Sequence, residues 1–164
     1  MFEIKKVDES ISLKVLHEII RESFITVAKE FNLTEENAPT NPAYMTLERL
    51  KDSIQSGKEF FLAKDNLQNV GCIAIEADKN NAENYFIERL AVIPEKRHNK
   101  IGRNLLDYAI SEIKRKKGTS AGIAIINENE QLKSWYRDYG FKETFIKNFE
   151  HLPFTVCFMR IDIE

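Results

Sequence analysis

Residues 88–103 read ERLAVIPEKRHNKIGR. An apolar strand-like run ends at Pro94, a basic loop follows, and a helical pattern opens near Ile101 and Gly102. A strand that enters a helix through such a turn is suited to holding an anion. The first amides of a helix have no internal acceptor, and the helix dipole favours negative charge there. Arg97, His98, Lys100 and Arg103 add side-chain donors around the same point. The competing explanation is a solvated turn, which is common in a chain of which 30% is charged.

Outward from this segment, the periodicity predicts alternating elements. Phe2, Ile4 and Val7 suggest a first strand, and Leu13, Leu16, Ile20, Phe24, Val27 and Phe31 fall on one face of a long helix. Residues 32–46 hold Pro39, Pro42 and several Asn and Thr residues, so they read as a loop. Thr46 caps a short helix that Gly57 ends. Strands over 59–64 and 70–77 form a hairpin through the turn at 65–69, and a turn at 78–83 leads into a third strand over 85–93. A helix over 100–117 carries an apolar stripe through Leu105, Leu106, Ala109 and Ile113 and stops at Gly118. Residues 121–126 are a continuous apolar run, as expected of a strand covered on both faces. A helix over 129–139 and strands near 141–148 and 154–162 complete the pattern. Antiparallel strands plus one strand–helix–strand crossover give an α/β chain with a mixed sheet, expected to be one domain over 1–164.

Bulk properties narrow the function. A chain of 164 residues can bury a core, and a net charge of −2 argues against a nucleic-acid partner. No apolar run approaches the roughly 20 residues of a membrane helix, and the first ten residues lack a signal-peptide core. Cys72 and Cys157 sit in separate strand-like runs and read as buried thiols of a reducing, cytoplasmic environment. His17, His98 and His151 are scattered, so neither a Cys–His nucleophile pair nor a metal site is expected.

Two further residues can carry chemistry. Alternation puts Phe86, Glu88, Leu90 and Val92 on one strand face, provided that no bulge intervenes. Glu88 is then a carboxylate among apolar neighbours: either a general base whose pKa desolvation raises, or half of an ion pair. Residues 129–141 read NEQLKSWYRDYGF. Leu132, Trp135, Tyr136 and Tyr139 lie at helical spacing, with Asn129 as N-cap and Gly140 as C-cap. This is a core-facing aromatic stripe, or else Tyr136 is a hydrogen-bond donor or acid in a cleft, because a buried tyrosine hydroxyl needs a polar partner. The run at 114–117 is a solvated cationic helix end.

Together the two segments resemble the GNAT superfamily of N-acetyltransferases. Arg97 and Gly102 fit the first and last positions of the family's Gln/Arg-x-x-Gly-x-Gly/Ala motif, while Lys100 stands at its middle glycine. The spacing Asn-x(6)-Tyr-x-x-x-Gly-Phe, from Asn129 through Tyr136 to Gly140 and Phe141, matches the second motif without a gap. The resemblance implies a GNAT fold: a mostly antiparallel mixed sheet with a splayed parallel pair of strands and flanking helices. It implies acetyl-CoA as acyl donor, wedged into the splay. Backbone groups around Leu90, Ala91 and Val92 would hold pantetheine. The amides of Arg97, His98, Asn99, Lys100, Ile101, Gly102 and Arg103 would hold the pyrophosphate. Asn129 would contact the pantetheine region, Glu88 would accept the amine proton, and Tyr136 would protonate the departing thiolate. The resemblance implies no metal.

The acceptor implied is a primary amine, with a small molecule as the leading reading. Peptide or protein acetylation and a CoA-binding sensor are the alternatives. In the superfamily the acceptor cleft is built by the N-terminal helices and late strands, here Phe24, Phe31, the loop through Asn37, Thr40, Asn41 and Tyr44, and residues 149–154. That loop is either a substrate lid or an ordinary connector. A homodimer is an assembly common among relatives.

Overall fold

The computed structural model describes Met1–Glu164 as seven strands and four α-helices. The strands are β1 (Phe2–Lys6), β2 (Glu59–Asp65), β3 (Gln68–Asp78), β4 (Asn81–Val92), β5 (Ser120–Ile126), β6 (Lys142–Asn148) and β7 (Thr155–Asp162). The helices are α1 (Leu13–Glu30), α2 (Leu47–Gln55), α3 (Ile101–Arg115) and α4 (Glu130–Tyr139). The sheet order is β1-β2-β3-β4-β5-β7-β6, and only β4 and β5 run parallel. This is the expected mixed, mostly antiparallel α/β sheet.

Local chemistry sets the boundaries. Thr46 Oγ1 accepts from Arg49 N at 3.1 Å and Asn129 Oδ1 accepts from Leu132 N at 3.2 Å, so both predicted caps form. Gly140, at φ 128°, closes α4. The end of α3 departs from expectation. The left-handed residue there is Lys117, at φ 69°, and Gly118 answers to packing instead: a Cβ on it would lie 2.4 Å from Ile113 and 2.8 Å from Tyr85. The turn at 78–83 is also shorter than predicted. Asp78 Oδ1 accepts from Asn80 N and Asn81 Oδ1 from Glu83 N, folding the chain back within two residues.

Both α1 and α3 pack over β3 and β4 with no extensive contact between them, so they cover opposite faces. Gly71 lets the β4 backbone and α3 approach; a Cβ there would stand 2.5 Å from Ala91 O and 3.1 Å from Leu105. Leu105, Leu106, Ala109 and Ile113 of α3 are fully buried, each leucine worth about 1.5–3 kcal/mol of burial. On α1 the fully shielded positions include the small Ser23 and Ala28, while Phe24 and Val27 are only half-buried. The loop at 31–46 is a packed satellite. Leu33, Ala38 and Ala43 cluster with Ala28, and a short 3-10 helix, Pro42–Tyr44, is capped by Asn41. Cys72 and Cys157 are buried and unpaired with each other. No helix is long and apolar enough to cross a membrane.

Candidate active site

The parallel pair is short. β4 and β5 match only at Asn84–Phe86 against Ser120–Gly122. From Ile87 onward β4 has no partner on that side, and the strands open into a cleft. The free edge of β4 leaves main-chain groups available to an extended ligand.

A bulge sits at the mouth of this cleft. Cys72 pairs with Ala91 and Ala74 with Glu88, so Arg89 and Leu90 together oppose Ile73. Arg89 takes φ 54°, a left-handed conformation unusual for a residue with a side chain. The bulge overturns the expected alternation. Phe86, Glu88 and Ala91 share the face of Cys72, Ala74 and Glu76, whereas Val92 shares that of Gly71, beneath α3. Glu88 therefore faces α1 and α2, and Val92 faces the start of α3.

Glu88 is in an ion pair, the alternative open from sequence. Lys58 Nζ lies 2.6 Å from its Oε2, outside hydrogen-bond geometry, and 4.0 Å from Glu76. Tyr136 is buried, with its ring edge-on to Trp135 at 4.9 Å and to Phe141 at 5.4 Å. Its hydroxyl has no partner within the protein, and burial pushes its pKa above the usual tyrosine range. The aromatic stripe thus divides: Tyr136 is interior, whereas Trp135 is 36% exposed and its ring would stand 3.8 Å from a Cβ placed on Gly102.

Beyond Pro94 the chain forms the basic loop. His98 and Lys100 both have positive φ, 68° and 63°, and Lys100 is the N-cap of α3 without a side-chain cap bond. The left-handed turn at Lys100 gives the physical reason a glycine suits that position. The main-chain amides of His98, Asn99, Lys100, Ile101, Gly102 and Arg103 have no acceptor in the protein. Alternating backbone conformation of this kind curls successive amides into an anion-binding nest. α2 and α4 each carry a side-chain cap and a first-turn glutamate, while α3 has neither. Gly102 is not demanded by packing, because a Cβ there would meet only ordinary contacts at 3.8 Å. The donor set fits the diphosphate of a coenzyme A thioester.

Arg97 corrects the picture of the loop as a ring of phosphate-facing side chains. Its guanidinium donates to Val92 O at 3.2 Å, Thr26 Oγ1 at 2.8 Å and Ser23 O at 2.6 Å, and its amide donates to Pro94 O. It ties the loop to α1 rather than facing outward. Its two partners on α1 lie more than 70 residues away, which local pattern could not reveal. Arg103 stacks 5.2 Å over the Tyr139 ring, whose hydroxyl donates to Asp107. Asn129 is occupied as a cap through Oδ1 only. The residues of the 31–46 loop are likewise engaged. Asn37 bonds Thr34 and Asn32, Tyr44 donates to Leu33 O, and Arg49 donates to Pro39 O and Thr40 O.

Comparison with known proteins bears on the fold and the family. No curated protein sequence matches significantly. Among solved structures, the PaiA N-acetyltransferase of Thermoplasma acidophilum, in complex with coenzyme A, is 23% identical, with a TM-score of 0.78 over 99% of both chains. The ribosomal-protein-S18-alanine N-acetyltransferase of Escherichia coli is 14% identical, with a TM-score of 0.78 over 99% of this chain and 94% of the other. A putative GNAT acetyltransferase of Desulfovibrio desulfuricans is 14% identical, with a TM-score of 0.79 over the whole of both chains. The family model for the acetyltransferase (GNAT) domain matches residues 29–163. The chain belongs to the GNAT family of acyl-CoA-dependent acetyltransferases.

Proposed function

We propose that residues 1–164 form one acetyltransferase domain that moves an acetyl group from acetyl-CoA to a primary amine of a small molecule. The observation that carries the donor assignment is the run of six unpaired amides at the start of α3, beside the open edge of β4. Those amides bind the pyrophosphate, and main-chain groups of Leu90, Ala91 and Val92 line the pantetheine arm. Asn129 retains its amide nitrogen for the same arm. Arg97 acts as a positioning residue that holds the loop in shape.

The amine nitrogen attacks the thioester carbonyl directly, forming the C–N bond. Collapse of the tetrahedral oxyanion breaks the C–S bond and expels the thiolate. The proton lost by nitrogen passes to Glu88, directly or through water, and the thiolate takes one from Tyr136. Burial keeps Tyr136 protonated, as a donor requires. The oxyanion is held by the amide of Leu90. The buried, unpaired thiols suit a reducing cytoplasm.

The test is thiol release from acetyl-CoA across an amine panel, with calorimetry of CoA binding. Turnover is expected with at least one primary amine. CoA binding without turnover would favour a sensor. Glu88→Gln is expected to lower the rate most near neutral pH, and an unchanged pH–rate profile would remove Glu88 as base.

A further inference from the structure

Three side-chain polar atoms that are themselves fully shielded from solvent lack a hydrogen-bond partner: Ser23 Oγ, Glu88 Oε2 and Arg89 Nε. All belong to α1 or β4, and two are neighbours at the bulge. Such atoms are rare in folded proteins and call for a cause. Glu88 has Lys58 beside it. Arg89 has nothing: none of its nitrogens forms a hydrogen bond or an ion pair, and desolvation opposes its charge. Its backbone is strained as well, at φ 54°.

The groups around it do not supply a counter-ion. Arg89 interacts through space with Glu88 favourably and with Arg49 unfavourably, while burial pushes the Cys72 thiol up to about 12 and keeps it neutral. Glu88 and Glu76 both face Lys58, the former at 2.6 Å. Arg49 is fixed by the loop carbonyls of Pro39 and Thr40. Three cations thus surround two carboxylates, and the cation left without contact is the one on the strained bulge at the cleft. A guanidinium offers a planar fork that matches carboxylate or phosphate oxygens two at a time.

We infer that Arg89 anchors an anionic group, carboxylate or phosphate, of the acceptor amine. The inference rests on the acetyltransferase reading and sharpens its substrate class. Because the bulge interrupts the alternation and leaves the Arg89 guanidinium within electrostatic reach of the Glu88 carboxylate, the anionic group and the reacting nitrogen are separated by only a few bonds. The acceptor is a compact amino carboxylate or aminoalkyl phosphate rather than a polyamine, which the three cations would repel.

The experiment compares ω-amino carboxylates, aminoalkyl phosphates, n-alkylamines and diamines of matched length, with Arg89→Gln and Arg89→Lys alongside. One anionic series should exceed the alkylamines at least tenfold in kcat/KM, and which one does so separates carboxylate from phosphate. Arg89→Gln should abolish that preference by raising KM for the anionic amine about 10- to 100-fold. Arg89→Lys should lie between. The CoA dissociation constant reports that each variant is folded with an intact donor site. Alkylamines used as well as anionic amines, or a preference that survives in Arg89→Gln, would overturn the inference. If no amine releases thiol, the catalytic reading fails, and the anion site is judged by melting temperature in the CoA complex. A rise with an anionic amine in the wild type but not in Arg89→Gln sustains it; no rise in either overturns it.

Discussion

Tyr136→Phe separates chemistry from architecture because the structure assigns the hydroxyl no structural bond. The ring contacts with Trp135 and Phe141, at 4.9 and 5.4 Å, survive the change. A protein hydrogen bond is worth a net ~0.5–1.5 kcal/mol, and here there is none to lose. Stability should therefore change by less than about 1 kcal/mol. The loss in rate should be larger. A positioned proton donor contributes about 10²–10⁴-fold, and at roughly 1.36 kcal/mol per decade this is about 3–5 kcal/mol of barrier. The measurements are kcat from thiol release at saturating acetyl-CoA and stability from chemical denaturation. The pH dependence gives a second check. Burial raises the Tyr136 pKa, so the donor stays protonated through the neutral range, and any alkaline fall from its ionisation lies above about 10. A kcat within threefold of wild type would refute the proton-donor role. A stability loss beyond about 2 kcal/mol would show instead that the hydroxyl has a structural task.

Other substitutions probe the loop and the sheet. Arg97→Ala removes three hydrogen bonds to α1 and β4, and should cost about 2–4 kcal/mol in denaturation while weakening CoA binding in calorimetry. Arg97→Lys should recover less than half, because one ammonium cannot reproduce the fork. Lys100→Gly relieves a left-handed conformation and should stabilise the chain by ~0.5–1 kcal/mol, with CoA affinity within about threefold if the backbone amide is what binds. Glu59 lies between Lys6 at 3.0 Å and Lys116 at 3.1 Å; burial raises its pKa, but the two ammonium groups outweigh it and hold the carboxyl below its usual range. With the folded pKa depressed, its stabilisation is present above the unfolded value and is lost as pH falls. The deficit of Glu59→Gln, under about 1 kcal/mol for a partly exposed pair, should begin to shrink below the usual glutamate pKa and vanish once pH has fallen through the depressed folded value.

The elements were legible because periodicity and caps are local. Thr46, Asn129 and Gly140 mark helix ends through bonds that span at most four residues. What escaped was non-local or conformational. Nothing in the letters at 88–92 signals a bulge, since its left-handed position carries Arg89 where glycine would have announced it. One extra residue moved Val92 to the α3 face and Ala91 to the α1 face, so half of the predicted face was wrong while Phe86 and Glu88 held. The ion pair of Glu88 needed Lys58 from a segment 30 residues earlier, brought near only by the β2–β3–β4 pairing.

The two arginines of the deciding segment show why composition alone misassigns charge. From sequence, Arg97 looked like a phosphate ligand and Arg89 like part of a strand. In the fold, every branch of the Arg97 guanidinium is committed to protein acceptors, so its charge shapes the loop whose neutral amides then face the ligand. Arg89 has no protein acceptor and stands on a strained bulge where the sheet opens. A cation whose donors are satisfied within the protein can be replaced only at a cost in stability. One whose donors are empty should cost little stability when replaced, and its loss should register in binding. Paired denaturation and acceptor-binding measurements on Arg97→Gln and Arg89→Gln should therefore move in opposite senses: stability falling mainly in the first, acceptor KM rising mainly in the second. A large loss of stability in Arg89→Gln would mean that its charge supports the fold after all.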